Sequence, residues 1–152
     1  MGQGIIQPPA FQRPSGKLYL ANAQINLVNA APTRVLFDTI PAEYTDGIED
    51  VGQHEIVAPS TGYYSIAGQV MFENVIADKG YSARIYVDGV SVCANFVHAS
   101  LVLEVAAPVV LPGHYVLAGE TIRLYAVSYA GVDTVDIQTG QTNTYLAVQR
   151  VR

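Results

Sequence analysis

Along most of the chain, apolar and polar residues alternate with a period of two, the spacing of a strand with one face buried. The clearest case is Tyr64-Ser65-Ile66-Ala67-Gly68-Gln69-Val70-Met71-Phe72. Tyr64, Ile66, Val70 and Phe72 fall on one face, and Ser65 and Gln69 on the other. Thr121–Val127 alternates likewise, with Ile122, Leu124 and Ala126 inward and Arg123 and Tyr125 outward, and Tyr145–Arg150 repeats the pattern. Runs rich in Val, Ile, Tyr and Thr, separated by Gly, Pro, Asn and Asp, predict strands over 18–28, 33–40, 53–58, 62–73, 81–88, 90–98, 101–110, 113–117, 120–129 and 142–151. Asp88-Gly89, set between two β-branched runs, predicts a tight hairpin. Pro59–Gly62 and Leu117–Glu120 read as turns in which a glycine is free to adopt positive φ. The only place for a helix is a short turn near 42–50. Many short strands with regular turns specify an all-β sandwich or barrel.

Residues 1–17 read differently. Pro8, Pro9 and Pro14, with Gly2, Gly4 and Gly16, disfavour both helix and central strand. Ile5, Ile6 and Phe11 nevertheless punctuate the stretch. This pattern predicts an extended N-terminal arm (1–17) ahead of a single domain (18–152). Ile5, Ile6, Pro8, Pro9 and Phe11 are its partner-binding residues, and the arm gains order by burying apolar side chains on a neighbour.

Composition narrows the roles open to such a domain. Of 152 residues, half are apolar and 14% are charged, which suggests that part of the surface is covered by other subunits. Thirteen acids against eight bases, only two of them lysine, leave no basic stripe for nucleic acid. No apolar run approaches the ~18 residues that span a bilayer, and residues 1–16 lack the pattern of a secretion signal. The expectation is synthesis in a host cytoplasm. A single cysteine, Cys93, excludes an intrachain disulfide framework and reads as a buried structural thiol.

Candidate chemistry is sparse. His54, His98 and His114 lie on separate segments with no His-x-His pair, and read as surface or interface residues rather than metal ligands. Glu43, Asp46, Glu49 and Asp50 form an acidic segment that does not match an EF-hand and reads as a solvated connection. None of Ser60, Ser65, Ser82, Ser91, Ser100 and Ser128 sits in a nucleophile elbow. No catalytic residue, metal or cofactor is expected. Ten tyrosines and no tryptophan suit an interface, with Tyr63, Tyr125 and Tyr145 as its candidates.

Four local matches, in order over about residues 33–150, carry a family resemblance. They are Val35-Leu36-Phe37-Asp38-Thr39; the run from His54 through Val57, Ala58-Pro59 and Gly62-Tyr63-Tyr64; Leu117-Ala118-Gly119-Glu120-Thr121-Ile122-Arg123-Leu124; and Thr144-Tyr145-Leu146-Ala147-Val148. Together the set resembles the jelly roll of tumour necrosis factor and of complement-type globular heads, with one residue fewer before Gly119. The resemblance implies a jelly-roll β-sandwich and a homotrimer built around a three-fold axis. A jelly roll preceded by a Pro-rich arm, with no collagen-like stalk, also resembles the trimeric auxiliary (decoration) protein of a tailed-phage capsid. Arg outnumbering Lys and the Pro-rich connections hint at a thermophilic source. The expected role is a non-catalytic virion protein that binds itself and the major capsid protein on the capsid surface, without nucleic-acid or membrane partners. The alternative is a glycan-recognising receptor-binding head of a phage fibre, with its determinants around Glu73–Gly80 and Tyr129–Gly140.

Overall fold

The period-two segments assemble into two facing antiparallel sheets in the computed structural model, which describes residues 13–101 and 103–152. Eleven strands follow in order: β1 (Ser15–Tyr19), β2 (Thr33–Arg34), β3 (Glu49–Asp50), β4 (Glu55–Val57), β5 (Gly62–Glu73), β6 (Gly80–Val87), β7 (Val90–His98), β8 (Glu104–Val116), β9 (Thr121–Ser128), β10 (Asp136–Ile137) and β11 (Tyr145–Arg150). The first sheet runs β1-β11-β5, with β8 on the far side of β5 and β10 following β11 along it. The second runs β3-β4-β9-β6-β7, with β2 beside β9. No helix occurs among the described residues, so 42–50 is turn and short strand rather than helix.

The core lies between the sheets. Tyr64, Ile66, Val70 and Phe72 of β5 meet Ile122, Leu124 and Ala126 of β9, with Leu18, Phe37, Ile85 and Leu146 around them, all buried. Gly68 belongs to the same inward row. A Cβ there would stand 3.0 Å from a Leu124 methyl, so the missing side chain lets the sheets close on that leucine. Two tyrosines are core residues with anchored hydroxyls. Tyr64 Oη donates to the Ser60 carbonyl at 2.7 Å, and Tyr81 Oη accepts from the Ile76 N–H at 2.8 Å. The hairpin forms as expected, with φ of 48° at Asp88 and 81° at Gly89, as a twist-matched two-residue turn requires. Gly119 takes a φ of 89° in its turn. Gly62 does not take positive φ; a side chain there would collide with the Arg152 carbonyl.

Four strand expectations change. The stretch 18–28 is a strand only to Tyr19, and that strand begins earlier, at Ser15, inside the segment set apart as an arm. Leu18, Leu20 and Leu27 are all buried, yet 20 and 27 differ by an odd number and cannot share one face of a continuous strand. The chain instead breaks at Asn26 and Ala30, both with positive φ. The stretch 33–40 crosses between sheets: Val35 N–H bonds Leu124 of β9, while Thr39 N–H bonds Tyr19 of β1. The stretches 101–110 and 113–117 are one strand, β8. It sits at an edge, where Pro108 and Pro112 withdraw no ladder donor, and a bulge opposite Ser65 absorbs residues 112 and 113. Asp136–Ile137 adds a short strand that the sequence pattern did not indicate.

The edges of the first sheet are closed within the chain. On β1, Ser15 N–H donates to the Asp46 carboxylate (2.8 Å) and Lys17 N–H to Glu49 (2.9 Å), so part of the acidic segment serves as edge acceptors. On β8, the carbonyls of Pro108 and Val110 accept from Asn95 Nδ2 (2.6 Å) and Cys93 Sγ (3.6 Å) of β7. Cys93 is partly buried. Side chains of the same chain thus blunt these edges.

Asp38 pins the irregular segment after β1. Its carboxylate accepts from Ala21 N–H (2.7 Å), Asn22 N–H (3.0 Å) and Asn22 Nδ2 (2.6 Å). Burial pushes its pKa up, but the hydrogen bonds from Ala21, Asn22 and Thr39 outweigh that and hold it below the ordinary value. The stability it contributes is thus present above the unfolded-state pKa and lost as pH falls through the lower folded-state value. Asp38→Ala is expected to cost about 1 kcal/mol at neutral pH, roughly 2–4 °C in Tm. In thermal melts across an acid series, the gap between wild type and variant should narrow as pH drops below the usual carboxylate range; a constant gap would contradict this role.

Candidate functional site

Since the inward positions fill the core, functional surface must come from the outward positions of the two sheets and from the loops. On the first sheet the registers place Lys17, Ala147, Ala67 and Val110 in one row across β1, β11, β5 and β8. The next row reads Tyr19, Tyr145, Gln69 and Pro108, and the row before it Ser15, Gln149 and Ser65. Tyr63 pairs with Tyr115 at one end of the face, their rings edge-on with centroids 5.3 Å apart. Lys17 is the only charged side chain in these rows, and its ammonium lies 4.7 Å from the centre of the Tyr145 ring. The small side chains leave a shallow depression of about 480 Å³ over Ser65, Ala67, Ala147 and Gln149, bordered by Ser15, Glu43 and Tyr44.

This face mixes small, aromatic and polar side chains, and its apolar members are partly open to solvent. Val110 is 61% exposed, Tyr115 53% and Tyr63 43%. Two of the three tyrosines singled out from sequence, Tyr63 and Tyr145, share it. Tyr115 and the small residues Ala67 and Ala147 belong to it as well, although sequence reasoning did not select them. Their alternation with core residues was the available signal, but nothing local distinguishes one outward alanine from another.

Tyr125 lies elsewhere, on the outward side of the second sheet. It is flanked across the strands by Arg34 of β2 and Arg84 of β6, and its ring packs 4.2 Å, centroid to centroid, from that of Tyr86. Arg123, two residues back on β9, bonds Glu55 through both Nε (2.6 Å) and Nη2 (2.5 Å). The Glu55 hydrogen bond raises the arginine's pKa above its ordinary value, so the guanidinium remains charged.

The other candidates disperse. His54 Nδ1 lies 2.6 Å from the Phe37 carbonyl, His98 is on β7 beside Phe96, and His114 is on β8 opposite Tyr64. Glu43 accepts from Gln141 Nε2 and Asp50 from Gln53 N–H. Among the described residues no three His, Cys, Asp or Glu side chains gather as metal ligands would, and no helix is long and apolar enough to cross a membrane. The loops 73–80 and 129–140 meet at one pole, where Asn74 Nδ2 donates to Asp136 at 2.8 Å. Ile5, Ile6, Pro8, Pro9 and Phe11 lie outside the described residues.

No protein-family model and no curated protein matches the chain. Among solved structures it is similar to Eiger TNF from S. frugiperda, with a TM-score of 0.65 and 9% identity, over 92% of this chain and 93% of that one. At so low an identity the likeness speaks for the fold alone: the chain is an all-β jelly-roll sandwich of two antiparallel sheets, similar in fold to that tumour-necrosis-factor protein.

Proposed function

We propose that the chain is a non-catalytic structural subunit that forms a homotrimer through the outer face of its first sheet and decorates the surface of a tailed-phage capsid. The observation that carries self-association is the run of Ala147, Ala67 and Val110, beside Lys17 in the same row and between the Tyr63–Tyr115 pair and Tyr145, with Val110 and the Tyr63–Tyr115 pair open to solvent. Small residues at the centre of a sheet face let a second backbone approach closely, while tyrosines at its border bring apolar area with a polar tip. The trimeric habit of this fold supports the stoichiometry.

Attachment to a shell is assigned to the N-terminal arm, with Ile5, Ile6 and Phe11 as anchors and Pro8 and Pro9 limiting the conformations it must give up on binding. Three arms on one trimer raise net affinity by roughly 10²–10⁴ over a single arm. Deleting residues 2–12, which spares β1, is expected to leave the light-scattering mass and the melting transition unchanged while abolishing co-sedimentation with undecorated shells. A truncated protein that decorates shells as well as the full chain would defeat the arm assignment. A wild-type protein of one-chain mass would defeat the trimer.

A further inference from the structure

The outer face of the second sheet is unlike that of the first, and it suggests a second binding surface that does not depend on the trimer. Arg34, Tyr125 and Arg84 stand directly opposite one another on three adjacent strands, which sets the two arginines roughly 10 Å apart at the backbone with the tyrosine between them. Arg123 and Tyr86 form the neighbouring row. Three of the chain's eight basic residues thus gather on one face of a protein whose net charge is −5.

One carboxylate answers them. Glu55, with 7% of its side chain exposed, is held by Arg123 and approaches Arg34 Nη2 only to 3.9 Å, outside hydrogen-bond reach. Arg34 Nε and Nη2 and Arg84 Nε are buried without a hydrogen-bond partner among the described residues. Arg84 is steadied by Tyr129, whose hydroxyl accepts from its Nη2 at 2.7 Å. Buried guanidinium donors left unpaired are unfavourable, and native proteins rarely tolerate several on one patch. The side chain of Arg34 keeps 25% of its surface in solvent, so it is not sealed beneath its neighbours.

We propose that Arg34 and Arg84, with Tyr125 between them, form a docking surface for a protein segment that presents paired carboxylates. Glu55 shows the chemistry within the molecule: a carboxylate seated on Arg123 satisfies one corner of the cluster, and the remaining two arginines offer the same planar fork to an incoming acid. Arg and Tyr are also the side chains that most often concentrate binding energy at protein interfaces. Binding turns each guanidinium outward, so that an incoming carboxylate pairs the donors that are now buried. The net positive local charge steers acidic partners to this face.

The test uses the full-length protein labelled with ¹⁵N and hexaglutamate as probe, following the arginine Nε–H resonances. Saturable shifts at Arg34 and Arg84 that weaken with added salt are expected. Arg84→Gln and Arg34→Gln should each lower hexaglutamate affinity by roughly tenfold, with melting temperatures recorded so that loss of binding is separated from loss of fold. Absence of saturable shifts overturns the proposal. Equal shifts with acetate at matched carboxylate concentration reduce the site to unspecific anion attraction and also overturn it. Tighter binding of an oligoglucuronate than of hexaglutamate assigns the surface to acidic glycans and overturns the protein partner. None of these results bears on the mass measured by light scattering, so the trimer stands or falls separately.

Discussion

Ala67→Arg is expected to convert the protein from a mass three times 16.3 kDa to a mass of one chain. Ala67 sits at the middle of the first sheet's outer face, between Ala147 and Val110, where in the proposed trimer a long charged side chain would meet its own symmetry mates. An uncompensated charge buried at an interface costs about 3–5 kcal/mol, which at even half that value shifts association by well over tenfold, and at full value by roughly a thousandfold. Because the position faces outward, the fold should survive, with far-UV circular dichroism and Tm close to wild type. Val90→Arg serves as the control: Val90 is as exposed as any core-free valine of the second sheet, at 64%, and its substitution should leave the trimer intact. If Ala67→Arg leaves the mass unchanged, the interface is not on this face.

The second large effect is expected at Glu55, which is a stability prediction rather than an assembly one. Its carboxylate is almost fully enclosed, accepts a hydrogen bond from Arg123 Nε, forms an ion pair with Arg123 Nη2 and faces Arg34. Glu55→Ala leaves two guanidinium groups beside each other with no acid, and removing one partner of a buried pair typically costs about 3–5 kcal/mol. Chemical denaturation should report a loss near the lower figure, since Arg123 keeps a quarter of its side chain in solvent. The double variant Glu55→Leu with Arg123→Leu should recover much of that loss, because apolar side chains of similar size can replace such a pair at little cost. A single variant as stable as wild type would mean that solvent already screens the cluster.

Much of the fold could be read from the chain because its signals are local. The alternation in β5, β9 and β11 identified core and outward residues correctly at Tyr64, Ile66, Val70, Phe72, Ile122, Leu124 and Ala126, and Asp88-Gly89 marked its hairpin. Errors arose where tertiary contacts overrule local pattern. Residues 111–112 read as a break between two strands, yet a bulge on an edge strand accommodates Pro112 and the strand runs on. Residues 20–28 read as strand, but carboxylates distant in sequence hold them in an irregular path: Asp38 at Ala21 and Asp136 at Asn26. The acidic segment 43–50 read as solvated, although Asp46 and Glu49 cap an edge strand some thirty residues away. The surfaces were harder still. Period two says that Tyr63, Tyr125 and Tyr145 point outward, but which of two sheets each leaves is set by strand pairing. For the same reason Arg34, Arg84 and Arg123 became a cluster only once β2, β6 and β9 were laid side by side.

Arg150 N–H bonds the Pro14 carbonyl, so the first strand and the last meet at the pole where β5 begins, while the loops around Asn74, Asp133 and Asp136 crowd the opposite one. A passenger fused after Arg152 therefore leaves beside Pro14. A passenger domain fused after Arg152 would jostle the arm at its root, whereas a peptide grafted into the 131–134 loop would be carried on the far tip, the better address for display.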